Sequence, residues 1–298
     1  MKRFFPRKRD SGIALLLVLW MMVILIGIIG VFALTAGTEN KQGKLLARGL
    51  QARYAAEGGV DVAVMRLSNA DPFLRWVPDD RIYKYVVGKT QIEIRIVDES
   101  GKVDINAAGA EVINPLLIAV GVEPAQAQVV TSAIVDWRDP DNLLTEPGGA
   151  EDPQYSSAEL PYGAKDAPFQ TVSELQQVMG MTPELYTKLL PLITIYSGLE
   201  RPNPSFAPPE VLAALGLQAP QIAQLLAERN AWQPGMPVFT LPDGNPLATS
   251  GTGTYSISSA ATEPDGSRAK VTATLRVGAT GNFGLLYTLL AWRVGEID

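Results

Sequence analysis

The sequence predicts an α+β protein: a long N-terminal helix, an antiparallel sheet, and a large all-α domain inserted between strands of that sheet. Three observations predict it. A basic leader runs straight into an uncharged apolar segment near the N-terminus. Period-two alternation of apolar and polar residues appears at 82–97 and returns after residue 253. Between those stretches, about 130 residues carry helical spacing instead. A helical block that opens and closes on strands reads as an insertion into one sheet.

Composition narrows the function. The 298 residues carry 25 Lys+Arg against 31 Asp+Glu, a formal charge of -6. Phosphate neutralisation needs a basic surface, so no nucleic-acid partner is expected. There are no cysteines, which removes disulfides, thiolate zinc sites and thiol nucleophiles. There are no histidines, which removes the usual near-neutral base and the commonest metal ligand. Any enzyme here would have to work with carboxylates, Lys, Tyr or a bound metal.

The N-terminal elements come first. Of residues 1–12, five are basic and one is acidic, so this leader carries +4 and the remainder -10. A basic stretch before an apolar span stays cytoplasmic by the positive-inside rule. Residues 13–34 hold no charge. A helix of that length is about 33 Å long, enough to cross a hydrocarbon core of roughly 30 Å. On these grounds alone the segment is a single-pass anchor. The run SGIALLLVLWMMVIL also resembles a prepilin signal, in which the apolar helix stays in the mature protein. That resemblance implies cleavage after Gly12 and methylation of the new amine of Ile13 by a prepilin peptidase. Most pilins have Glu at the fifth mature position; here it is Leu17.

The helix is expected to continue to about residue 68, because Leu45, Leu46, Leu50, Tyr54, Val60, Val64 and Leu67 recur at helical spacing. Gly58-Gly59 weakens its interior and could kink it. A hairpin follows at 82–87 and 90–97, turning at Gly88-Lys89. Short helices are expected at 111–120, 124–137, 172–179, 183–190, 208–215 and 220–230, several starting with Pro in the first turn. Strands return at 253–262, 269–277 and 285–294. The domain plan is therefore a leader at 1–12, a helix at 13–68, a β body from 69–100 and 250–298, and an inserted helical domain at 101–249.

Two features of the insertion bear on function. NAAGAEVINPLLIAVGV at 106–122 and NPSFAPPEVLAALGL at 203–217 form an internal repeat. Each half resembles a helix-hairpin-helix unit. Such units can grip DNA phosphates or simply pack, and the acidic composition favours packing. The segment DWRDPDNLLTEPGGAED sets Asp136, Asp139, Asp141, Glu146, Glu151 and Asp152 against a single Arg138. Carboxylates so spaced are either solvated or bridged by a hard cation, which takes six to eight oxygens. A carboxylate pair for glycoside hydrolysis is a further reading, unsupported by any aromatic sugar platform.

Taken in order, the SGIALLLVLW span, QARYAAEGGVDVA, IVDESGKVDINAA, DWRDPD, GGAED, PYGAKDAPFQTVSEL and NPSFAPPEVLAAL resemble the protein K family of bacterial type II secretion systems. These are large minor pseudopilins. The resemblance implies a pilin-like body with an inserted helical domain. It implies Ca²⁺ held by Asp136, Asp139, Asp141, Glu151 and Asp152, with Glu146 less expected because it precedes the Pro-Gly-Gly turn. It implies partners, namely minor pseudopilins I and J and through them the major pseudopilin, at a filament tip anchored in the inner membrane. The family commonly lacks the Glu at mature position five, in agreement with Leu17. A minor pilin of a type IV pilus and an anchored periplasmic enzyme are the competing readings.

Overall fold

The computed structural model describes residues 11–248, 251–278 and 286–295, with side chains from residue 14 onward. Residues 1–10 of the expected leader lie outside the described residues, as does Leu285 at the expected start of the last strand.

Helix α1 spans Ser11–Leu67 in one run and continues through Gly58-Gly59 without interruption. Its outer half is apolar on all sides and solvent-facing, with Leu15, Leu17, Trp20 and Phe32 all more than half exposed. A helix hydrophobic all round suits either a large protein core or a membrane span. The best 18-residue window has mean hydropathy 3.0, so α1 is long and apolar enough to cross a membrane. The inner half has one buried stripe, Ala52, Ala56, Val60, Ala63, Val64 and Leu67. Small residues dominate it, which lets the helix lie close on the sheet.

That sheet comprises β1 (Asp79–Val87), β2 (Thr90–Asp98), β5 (Thr254–Thr262), β6 (Arg268–Val277) and β7 (Tyr287–Gly295), antiparallel in that order. Ile92, Ile94 and Ile96 of β2 point at α1 with Ile257, Ala261, Val271, Ala273 and Leu275. The period-two pattern of β2 thus sorts isoleucines to the core and Gln91, Glu93 and Arg95 to the other face.

β2 and β5 are direct neighbours, paired from Gln91↔Thr262 to Asp98↔Tyr255. Everything between them is therefore a long excursion from a single hairpin position. It contains a two-stranded parallel ribbon, β3 (Val103–Asp104) with β4 (Ile193–Thr194). Its helices are α2 (Ala110–Ala119), α3 (Pro124–Arg138), α4 (Asp152–Ser157), α5 (Pro183–Leu189), α6 (Pro209–Ala214) and α7 (Ala219–Ala231). They enclose a core separate from that of the sheet. The short helix expected at 172–179 is a 3₁₀ helix over residues 172–177. The parallel ribbon and α4 have no counterpart in the sequence reading.

The internal repeat is a structural repeat. Gly121 N–H bonds Ile118 C=O and Val122 N–H bonds Leu117 C=O; Gly216 to Ala213 and Leu217 to Leu212 reproduce the pair. Both glycines have φ near +90° (92° and 94°), which terminates α2 and α6 in the same way. The two terminated helices pack against each other.

Candidate functional site

The acidic segment begins inside the last turn of α3. Asp136 and Trp137 are buried there because they lie on the core-facing side of that helix. Trp137 packs on Tyr155 of α4 and on Phe169, at centroid distances of 5.8 and 6.3 Å. The Asn106 side chain then clamps Phe169, accepting from its N–H at 2.7 Å and donating to its C=O at 2.9 Å. These contacts bring residues 136–141, 151 and 166 to one place.

The charges gathered there are poorly compensated. Arg138, the one base in the segment, is turned away, donating to the backbone carbonyls of Ile105 and Ala108. Lys165 is engaged by Glu174. Asp136 accepts from Thr145 N–H. Both oxygens of Glu151, one oxygen of Asp139 and one of Asp166 are buried with no hydrogen-bond partner. A buried orphan carboxylate oxygen is costly and calls for an explanation such as an ion.

Titration reflects this crowding. Burial pushes Glu151 up to about 7, helped by the charges of Asp136, Asp166, Asp139 and Asp141. Asp139 is also raised, by burial and then by Asp141, Asp136 and Asp166. Between the ordinary value of 4.5 and about 7, the folded metal-free protein holds a proton on Glu151 that the unfolded chain has released. Stability from this group is therefore full below 4.5 and is lost as pH rises through 7. In chelator, urea unfolding at pH 8 should show about 1–3 kcal/mol less stability than at pH 5. Asp98, raised to about 6 by burial, acts in the same direction, so Glu151→Gln should remove only part of the slope. An unchanged slope in that variant would refute the role given to Glu151.

The five residues expected as ligands are not equivalent. Asp136, Asp139 and Glu151 are drawn into the site. Asp141 stays at its exposed edge, where its carboxylate accepts from Leu143 N–H at 2.9 Å. Asp152 is exposed in the first turn of α4 and lies against Gly163; its charge is not among those acting on Asp139 or Glu151. Asp166 was not among the expected ligands. Its signal was an acid in the Pro- and Gly-containing stretch PYGAKDAPF, and it takes a left-handed φ of 52°, which Asp tolerates better than most residues. Among the described residues, no three carboxylates approach closely enough to form a finished ligand shell. The donor set nonetheless suits a hard, oxygen-seeking cation that would draw the orphan oxygens together, with carbonyls completing its coordination.

A membrane-length helix laid on an antiparallel sheet, with a helical domain inserted between two adjacent strands, defines a pilin-like fold. The family profile described as "Type II secretion system (T2SS), protein K" matches residues 92–198, from β2 through the acidic segment to just past β4. Type II secretion system protein K of Klebsiella pneumoniae is 28% identical over 208 residues, 62% of this chain and 62% of that protein. The protein of that name from Pectobacterium carotovorum subsp. carotovorum is 37% identical over 84 residues, 28% of this chain and 25% of the relative. The match thus spans about three fifths of the Klebsiella protein's length and a quarter of the Pectobacterium protein's. The fold resembles a chain in the crystal structure of the GspK-GspI-GspJ complex of the enterotoxigenic Escherichia coli type 2 secretion system. The TM-score is 0.55 at 16% identity, covering 87% of this chain and 99% of that one. Residues 92–198 thus match the type II secretion system protein K family model, and the curated relatives of that name align with the chain in part.

Proposed function

We propose that this chain is a minor pseudopilin at the tip of a type II secretion pseudopilus. It would nucleate or cap the filament and help move folded exoproteins across the outer membrane. The observation that carries this reading is the helical domain of about 150 residues mounted between adjacent strands β2 and β5. That much bulk beside the sheet obstructs the lateral packing a shaft subunit needs, and a terminal subunit escapes that packing on one side. Leu17 supports the same position, since it lacks the carboxylate with which a pilin subunit pairs a neighbour's amine. The partners are minor pseudopilins of types I and J, as in the solved complex, and through them the major pseudopilin. The chain is an inner-membrane, single-pass protein with its N-terminus cytoplasmic and the bulk periplasmic. Its role is structural rather than enzymatic.

Co-purification from detergent with tagged I and J pseudopilins of the same system tests the assignment. Recovery of all three together is the expected result; recovery with type IV pilus subunits instead would overturn it. Processing is tested separately. Mature protein should begin at Ile13 with a methylated amine, and Gly12→Val should leave the +4 leader attached. Any other N-terminus by sequencing refutes the prepilin assignment.

We further propose that the acidic site binds Ca²⁺ through Asp136, Asp139, Glu151 and Asp166, with Asp141 at the rim and Asp152 the least favoured of the expected ligands. The ion would supply the positive charge that the orphan oxygens lack and so fix the segment between α3 and α4. The four buried carboxylate oxygens without partners support this reading over a solvated loop.

A further inference from the structure

Independently of the calcium site, we propose that the cleft between the sheet's outer face and the helical domain docks an extended acidic peptide segment of a partner protein, one with carboxylates four residues apart. The cleft holds about 970 Å³. Seven cationic side chains line it against three carboxylates, in a chain whose net charge is -6. This excess is opposite in sign to the molecule as a whole, so the cleft focuses a local positive field.

Sheet register organises the floor. Arg95 of β2 pairs with Ser258 of β5, Ser258 with Thr272 of β6, and Thr272 with Arg293 of β7. All four lie on the face turned away from α1, because their strand neighbours Ile94, Ile257 and Val271 are the ones buried beneath the helix. One straight cross-strand row therefore reads Arg, Ser, Thr, Arg.

The other basic groups have internal work. Arg81 pairs with Asp79 at 2.6 Å and Lys102 with Glu99 at 2.6 Å. Arg229 donates to the carbonyls of Ser205 and Ala207, and Lys188 to that of Val120. Arg95 has only a loose contact with Asp80, at 3.6 Å between half-exposed groups. Among the described residues, Arg293 and Lys270 make no ion pair. The cations available to a ligand are thus the two ends of the row and Lys270, two residues from Thr272 on the same face.

The geometry selects the ligand. Three strand steps of about 4.8 Å put the row's ends about 14 Å apart. An extended peptide rises about 3.4 Å per residue, so carboxylates at i and i+4 stand about 14 Å apart on one side of it. Each would meet one guanidinium in a paired, charge-assisted hydrogen bond, with the Ser and Thr hydroxyls under the intervening backbone. A single phosphate cannot span the row. The concave shape excludes a flat membrane surface.

The test uses the full-length protein in neutral detergent and fluorescence anisotropy with two labelled peptides. One contains Asp-Ser-Thr-Ser-Asp; the other has the same composition with the two Asp adjacent. At low salt the spaced peptide should bind at least fivefold tighter, and added salt should weaken it. Arg95→Gln and Arg293→Gln should each lower its affinity about fivefold, while Lys89→Gln in the β1–β2 turn leaves it unchanged. Circular dichroism melting establishes that each variant is folded. Equal affinity for the two peptides would overturn the proposal, as would equal losses in Lys89→Gln. Displacement of the spaced peptide by inorganic phosphate at the peptide's own dissociation constant would also overturn it, by reducing the cleft to a simple anion hole.

Discussion

Calcium at a hundred times its dissociation constant is expected to raise the unfolding free energy by about 2.7 kcal/mol over the protein in chelator. For a domain of this size that is a rise of roughly 5–10 °C in melting temperature. The cause would be local: on the proposed reading the ion binds the folded arrangement of Asp136, Asp139, Glu151 and Asp166, and the unfolded chain does not hold those groups together. Magnesium at the same ionic strength should give less, because it keeps its waters and demands octahedral geometry. Glu151→Gln should abolish the calcium response. It should also stabilise the metal-free protein at pH 8, since it removes a charge whose two oxygens are buried without partners. That change of sign separates a ligand from a merely structural carboxylate. Equal melting temperatures in calcium and chelator, after verified metal removal, would sink the calcium reading.

Two adjacent glycines should respond in opposite directions. A Cβ on Gly59 would stand 2.2 Å from Ser259 Oγ and 2.9 Å from Ile92 Cγ2, with Ser259 Cβ at 3.2 Å. Ser259 is fully buried and held on β5, so the sheet cannot retreat cheaply. Gly59→Ala should therefore destabilise by about 1–3 kcal/mol as the helix is pushed off the sheet. A Cβ on Gly58 meets nothing within 4 Å. Gly58→Ala should stabilise by up to about 1 kcal/mol, through helix propensity alone. Chemical unfolding of the two variants measures both signs. Destabilisation by both would mean that α1 needs flexibility at this pair, as the expectation of a kink would have it.

Several elements were legible before any coordinates. The N-terminal helix was legible from its uncharged apolar run, which composition makes long enough to cross a membrane. The strands at 90–97 and 269–277 follow from period two, and the repeat halves from their matching Gly-Val and Gly-Leu ends. The cluster Asp136, Asp139 and Asp141 was visible as charge density along the chain. Other elements were not legible. Two-residue strands such as β3 and β4 carry no periodicity, and their pairing joins residues 90 positions apart. The helix at 172–177 was expected, but not its 3₁₀ form, since the Thr171 capping box suits either kind of helix.

By itself, the sequence determined the membrane-length apolar helix, the sheet's inward face and the density of carboxylates in the acidic segment, because each depends on residue type at short range. Tertiary structure alone decided which carboxylates meet. The packing of Trp137 against Tyr155 and Phe169 brings Glu151 and Asp166 toward Asp139, while the first turn of α4 sends Asp152 outward. It also decided that Gly59 is a contact rather than a hinge, and that Arg95 and Arg293 share one row. Such facts depend on register and packing between residues far apart in the chain, and local pattern carries no information about either.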